Sequence, residues 1–278
     1  MRKTVAIVLC AGGLLGAAQA TPAAASSAAA PRVAGLTDSG TLVTFRADRP
    51  GAVADLGKIT GLDGDAKVIG IDHRVQDGKL YAVGDKGGVY TLSGKARATK
   101  VSQLTVALDG ASFGVDFNPA ANRLRVISDT GQNLRHNLDD PAGAPAPGTT
   151  ATDGRLTGPT GATATGVTAA AYTNNDLDAA TATTLFDVDT AGDQIVIQSP
   201  ANAGNLAPTG KLGVDAAAPA GFDVYTGRRG GNTAYAALQV DGAARFFLVD
   251  PLTGAATRVG TFPDRRRVVD IALPLNQG

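Results

Sequence analysis

At 278 residues the chain has room for one large all-β domain or two ordinary ones, so length leaves the domain count open. All 25 acidic residues are Asp, so any mechanism that needs a Glu acid, base or metal ligand is excluded. Lys and Arg also number 25, and this even balance gives no electrostatic reason to expect nucleic acid or an anionic membrane as partner.

Asp favours turns and Glu favours helices, so this bias, with 36 Gly, predicts many turns and few helices. Residues 1–30 read as a signal peptide and flexible leader. Arg2 and Lys3 form a positive start, Val5 to Ala18 is apolar, and Ala18-Gln19-Ala20 fits a small-residue cleavage site. The expectation is an exported protein, extracellular or held in the cell envelope, with no transmembrane segment in the mature chain. The apolar run is shorter than the about 20 residues a spanning helix needs. The single cysteine, Cys10, lies inside the leader, so the mature chain relies on its core and not on disulfides.

From residue 31 onward the chain reads as short strands with period-two alternation. Val33-Ala34-Gly35-Leu36, Thr41 to Phe45 and Ala54 to Gly57 form three of them. Ile69-Gly70-Ile71-Asp72 then opens a unit continued by Lys79 to Val83, Gly88 to Leu92 and an apolar run near Lys100 to Leu104. Phe113 to Asp140 spells the next unit most completely: FGVDF, the turn NPAAN, RLRVIS, the turn DTGQ, and NLRHNL. A ragged outer strand is expected near Gly154 to Thr157, within a Pro, Gly and Thr-rich loop from Asp139 to Gly166. Thr168 to Tyr172 opens the third unit, followed by Thr184 to Asp189, Gln194 to Gln198 and Gly210 to Gly213. Ala220 to Asp223 opens the fourth, followed by Thr233 to Leu238, Ala244 to Asp250 and Thr257 to Gly260, and Val268-Val269-Asp270 supplies a last opening strand.

The openings start 44, 55, 52 and 48 residues apart, a period suited to propeller blades. The N-terminal segment lacks a first strand and the C-terminal segment offers only that strand. Joined, they complete a fifth blade and close the ring. The expected fold is therefore all-β, a five-bladed β-propeller occupying residues 31–278 as a single domain.

NRLRVISDTGQNLRHN at Asn122 to Asn137, GVTAAAYTN at Gly166 to Asn174, and LGVD with AGFDV at Leu212 to Asp215 and Ala220 to Val224 resemble the bacterial family called domain of unknown function 4394. The resemblance implies an exported propeller-like domain and carries no assigned activity.

The repeat places Asp72, Asp116, Asp223 and Asp270 at equivalent points of the opening strands, with Tyr172 in the remaining unit. Around one axis, Asp72, Asp116 and Asp223 offer hard oxygen ligands to a cation such as Ca²⁺, which would polarise an ester carbonyl in a lactonase-like hydrolase. The plainer reading has each Asp accepting backbone amides of its own turn. Gly70, Gly114 and Gly221 share a face with these aspartates and suit close approach between blades.

A second, asymmetric set belongs to the Phe113 unit: Asn118, Arg125, Asn133 and Arg135, joined by Asn174 from the next unit. It reads as a ligand-binding set, or as arginines paired with neighbouring aspartates. His73 and His136 are the only histidines, and His73 faces away from Asp72 on an extended strand. Ser112 or Ser128 would have to complete any Ser-His-Asp triad, without a nucleophile-elbow motif. Asp187, Asp189 and Asp193 suit a hairpin turn better than a calcium loop. The reading is a monomeric binding or scaffold module for a small molecule or protein, its ligand at the axial face formed by loops after the opening strands. The alternative is the calcium-dependent hydrolase.

Overall fold

A computed structural model describes residues 30–178 and 180–275. The leader expected over residues 1–30 lies outside them apart from Ala30. Twenty strands form five four-stranded antiparallel sheets, and among the described residues the helical content is one 3-10 turn at Ala201–Ala203.

Blade 1 runs β4 (Val68–His73), β5 (Leu80–Gly84), β6 (Gly88–Leu92), β7 (Ala98–Gln103) from the axis outward. Blade 2 runs β8 (Phe113–Asn118), β9 (Arg123–Ser128), β10 (Asn133–Asn137), β11 (Thr149–Thr152). Blade 3 runs β12 (Val167–Tyr172), β13 (Leu185–Asp189), β14 (Gln194–Gln198), β15 (Leu206–Lys211), and blade 4 runs β16 (Ala217–Thr226), β17 (Asn232–Val240), β18 (Ala243–Val249), β19 (Ala256–Thr261). Blade 5 joins the two ends of the fold: β20 (Val268–Ala272) is innermost, then β1 (Arg32–Thr37), β2 (Thr41–Arg46) and β3 (Arg49–Lys58). Ala34 pairs with Ala272 and Gly35 with Ile271, which is the closure the sequence predicts. The inner strands β4, β8, β12, β16 and β20 each contact the next in cyclic order, so the ring is closed.

Two outer strands differ from expectation. In blade 2 the outer strand is Thr149–Thr152, not Gly154 to Thr157. Leu156 is fully buried among Ile127, Val167 and Tyr172, and Thr157 makes isolated bridges to Thr163 and Asn205. That stretch plugs the seam to blade 3 instead of extending the sheet. In blade 3 the outer strand begins at Leu206, four residues before the expected Gly210.

Alternation puts each blade's two faces against its two neighbours, and the core is accordingly divided into seams. Five apolar clusters fill five seams. Ile71, Ala82 and Tyr90 of blade 1 pack with Leu36 and Leu42 of blade 5. Tyr81 and Val83 pack with Val115 and Leu124 of blade 2, and Ile127 with Leu185 and Val196 of blade 3. Phe186 and Val188 meet Phe222 and Leu238 of blade 4. Between blades 4 and 5, Phe45 lies edge-on to Phe246 and Phe262, with ring centroids 5.1 and 5.0 Å away. Edge-to-face pairs of this kind add about 0.5–1.5 kcal/mol beyond their buried area.

Near the axis the blades converge, and the glycines of the inner strands make room. A Cβ on Gly114 would lie 2.6 Å from the Ala170 nitrogen, and one on Gly221 would lie 2.5 Å from the Asp270 Cα. Both neighbours are backbone of the following inner strand, which cannot step aside without moving its blade. Gly114→Ala and Gly221→Ala are each expected to lower unfolding free energy by about 1–3 kcal/mol through overpacking. Gly94→Ala, where nothing lies within 4 Å, is the control and should stay within about 0.5 kcal/mol of the parent in urea titrations.

Candidate functional site: the axial carboxylates and the channel mouth

Each inner strand is the free edge of its sheet, so alternate backbone N–H groups point toward the axis with no ladder partner. The repeated aspartates supply the acceptors. Asp72 Oδ2 accepts from the Phe117 N–H at 2.7 Å, and Asp116 Oδ1 from the Tyr172 N–H at 3.0 Å. Asp223 Oδ2 accepts from the Leu273 N–H, and Asp270 Oδ2 from the Ile71 N–H at 2.7 Å. Three of the donors belong to the next inner strand round the ring, and Leu273 directly follows it, one residue past the end of β20. Three of the carboxylates also take an amide of their own strand: His73 to Asp72 and Val224 to Asp223, both at 2.6 Å, and Ile271 to Asp270 at 2.9 Å. The aspartates thus join blades, and three of them also hold the next amide of their own strand.

Strand β12 carries no acid. Tyr172, which the repeat aligned with the aspartates, turns its side chain back toward blade 2, where its hydroxyl meets Nε of Arg125 at 3.2 Å. The seam from blade 3 to blade 4 is instead filled by the apolar cluster that includes Phe186, Phe222 and Leu238.

One oxygen from each of Asp72, Asp116 and Asp223 falls within 4.8 Å of the others. All three are buried, Asp223 at 1% exposure. Burial, and then the charge of Asp223, pushes the Asp72 carboxyl well above the ordinary carboxylate range. Burial followed by the charges of Asp72 and Asp223 does the same to Asp116. Asp270 is pushed up chiefly by burial, and Asp223 is raised by burial to about 7 while the Leu273 and Val224 amides pull it back. Three hard oxygens at this spacing can share protons or hold a cation.

At the end of the channel where the inner strands begin, a cavity of about 250 Å³ opens to solvent. Ile69, Phe113, Pro219 and Val269, from four of the five inner strands, form its apolar collar, and Thr37, Ser112 and Lys67 supply polar groups around it. Lys58 also lines it and donates from Nζ to the Ser39 carbonyl at 2.6 Å. Sequence reasoning placed the ligand at the opposite mouth. There the loops after the inner strands are laced together: Arg74 reaches Asn122 and Asp139, Gln76 reaches the Pro119 carbonyl, and Asn174 and Asn232 bond reciprocally. The collar residues carry no polar signature and are assembled from four strands, so no local motif announces them.

The asymmetric polar set is brought together in part. Arg125 is 2% exposed and spends its guanidinium on Asn133 and Asp153, both at 2.7 Å, on Asn202 at 2.7 Å, and on Tyr172. Arg135 shares Asp153 at 3.1 Å. These residues form a clasp between blades 2 and 3 that runs from buried Arg125 and Asn133 out to exposed Asn202. Asn118 accepts the Ala121 N–H in its own turn and its side chain also bonds Tyr172, the partner of Arg125, whereas Asn174 lies at the blade 3 to blade 4 loops.

His136 is fully buried, with Ser102 Oγ at 2.8 Å from Nε2 and Thr150 Oγ1 at 3.0 Å from Nδ1. Neither Ser112 nor Ser128 meets it, and no carboxylate completes that row. Burial lowers both His73 and His136 to about 4, so both are neutral at pH 7. In the DVDTAGD hairpin, Asp189 Oδ1 accepts the Ala191 and Gly192 amides at 3.1 and 2.9 Å, as a turn requires.

The pKa shifts set opposite pH dependences. A carboxyl raised in the folded state favours folding at low pH, and that stability is lost as pH climbs from about 4 through its folded value. The lowered histidines favour folding above 6.5 and lose that contribution as pH falls toward about 4. Above pH 6.5 the unfolded-state imidazoles lose their remaining protons and the histidine slope fades, so the raised acids dominate that window. The melting temperature is expected to fall between pH 6.5 and 8, and Asp223→Asn to flatten that slope while losing some stability at pH 5. A melting temperature independent of pH across this window would contradict the assignment.

A scan of family models matches residues 41–272 to the domain of unknown function DUF4394. No curated protein matches. Among solved structures, a protein of unknown function from Bacteroides thetaiotaomicron superposes with a TM-score of 0.52 at 13% identity, over 91% of this chain and 69% of that one. A protein from Lactobacillus plantarum gives 0.42 at 17% identity, over 83% and 66%, and TolB from Acinetobacter baumannii gives 0.46 at 13%, over 83% and 53%. At these identities the first likeness speaks to fold alone. With the family model spanning all but the first strand of the propeller, the chain belongs to the DUF4394 family.

Proposed function

We propose that the chain is an exported, monomeric binding module that receives a small amphipathic ligand at the mouth where the inner strands begin. The observation that carries this reading is the collared cavity. Apolar walls from Ile69, Phe113, Pro219 and Val269 lie beside Ser112, Lys67 and Asp38, the mixture of apolar surface and few polar groups that small-molecule sites use. The signal-like leader supports export, and among the described residues no helix is long and apolar enough to cross a membrane.

A calcium-dependent hydrolase is the second reading, favoured by the oxygens of Asp72, Asp116 and Asp223 within 4.8 Å. It ranks lower because both oxygens of Asp72 and of Asp223 already accept backbone amides. Each oxygen keeps a lone pair for a cation, but little surface is left for a substrate to reach it.

Two measurements separate the readings. The anionic amphiphile 8-anilinonaphthalene-1-sulfonate, used as a probe, is expected to bind saturably with enhanced fluorescence, and Val269→Trp, which fills the collar, is expected to weaken it at least tenfold without lowering the melting temperature. Unchanged probe affinity in that variant would sink the cavity reading. Under the binding reading, the melting temperature is unmoved by about 1 mM calcium or by chelator; a calcium-dependent rise supports the hydrolase instead, because a ligand of the native state must stabilise it.

A further inference from the structure

The seam between blades 2 and 3 holds three buried acceptor atoms that meet no protein donor: both carboxyl oxygens of Asp187 and Oε1 of Gln198. Asp187 is fully buried and Gln198 is 2% exposed. Both lie on the face of blade 3 that packs against blade 2. Asp187 stands opposite Ala170 on β12 and Val196 on β14, and Gln198 follows Val196 by two residues on the same face. Diagonal neighbours of this kind are within reach of one another's side chains.

Across the seam is Arg125, which lies on the same face of β9 as Ile127. Its Nε donates to Tyr172, its Nη1 to Asn133 and Asp153, and its Nη2 to Asn202. A guanidinium has five N–H groups, so one on Nη2 is left. Burial pushes the Asp187 carboxyl well above its ordinary range, and the charge of Arg125 is the influence that opposes it. The two groups therefore feel each other without a direct bond. The side chains around them, Ala170 beside Asp187 and Ala201 beside Gln198, are small.

A spare donor on one wall faces orphan acceptors on the other. Burial favours a proton on one Asp187 oxygen, so the second Asp187 oxygen and Gln198 Oε1 call for a molecule that can accept once and donate twice. Water meets that description, and buried waters make about three hydrogen bonds to otherwise unsatisfied groups. A metal cation does not fit, since it would sit beside a guanidinium and leave the Arg125 N–H without an acceptor. We propose that the blade 2 to blade 3 seam contains an occluded water site in which Arg125 donates to the water and the water donates to Asp187 and to Gln198. The clasp of Arg125, Asn133, Asp153 and Asn202 then extends through this water into the middle of blade 3. This inference is independent of the ligand reading, since the seam is distinct from the channel mouth.

A crystal structure of the full mature chain at about 1.2 Å, where donor and acceptor roles become assignable, tests it. The expected result is spherical density about 2.7–3.2 Å from Arg125 Nη2, an Asp187 oxygen and Gln198 Oε1. Asp187→Leu should remove that density and lower the melting temperature by several degrees. Should that variant not fold, Gln198→Met, which keeps the volume and deletes one acceptor, should displace or weaken the density. Direct contact between Asp187 and Gln198 with nothing between them would overturn the proposal, as would density with oxygen contacts near about 2.4 Å, the signature of a cation.

Discussion

Closing five sheets around an axis leaves five strand edges facing inward, and the backbone N–H groups on those edges must find acceptors. A buried unsatisfied amide costs as much as a lost hydrogen bond, so this is a constraint on the whole ring and not a local detail. Here it is met by short carboxylates that reach from one inner strand to the next: Asp72 to Phe117, Asp116 to Tyr172, Asp223 to Leu273 and Asp270 to Ile71. The glycine two residues earlier in three of these strands belongs to the same device. It lets the following strand come close enough for the carboxylate to touch its backbone.

The device has an electrostatic cost. It concentrates carboxyl groups that burial and mutual repulsion push above their ordinary range, with no arginine or lysine bonded to any of them. The buried arginines are used elsewhere, Arg125 with Asp153 in the blade 2 to blade 3 seam, Arg74 with Asp139 at the loop end and Arg123 with Asp140. The axial ring therefore depends on protons, or on a bound cation, for neutrality. Away from the axis the blades are held by apolar seams, and the one junction without an aspartate clasp, between blades 3 and 4, is filled by a cluster running from Ala169 to Phe247.

Much of this was legible in the sequence because it repeats. The x-Gly-x-Asp openings at Ile69, Phe113 and Ala220 reveal the period, and the missing first strand near Val33 pairs by elimination with the extra one at Val268, which fixes the closure. The reason for the repeated Asp was harder to read. Alternation shows which face it lies on, but only the closed ring shows that this face meets the next blade's backbone. Tyr172 misled because the pattern is one residue out of step there: Ala171 takes the aspartate position facing the next blade, and Tyr172 corresponds to Phe117. The outer strand of blade 2 was misplaced because Leu156 is apolar and alternating yet serves as a plug in a seam. Arg125 and Asn133 stood out by composition, and whether such residues meet a ligand or each other depends on Asp153 and Asn202, which are distant in sequence. The collar of the cavity is the least legible part, since Ile69, Phe113, Pro219 and Val269 look like ordinary strand residues until the ring gathers them.

The axial aspartates protect backbone amides that no β-ladder protects. Residue-resolved hydrogen exchange reads this directly at Ile71, Phe117, Tyr172 and Leu273. These amides are expected to exchange as slowly as ladder amides of the middle strands, such as Val83 and Ile195, and each to become fast when its own aspartate is replaced by Ala in a chain that remains folded. Rapid exchange at these four positions in the parent protein, at the rate of exposed strand edges, would contradict it.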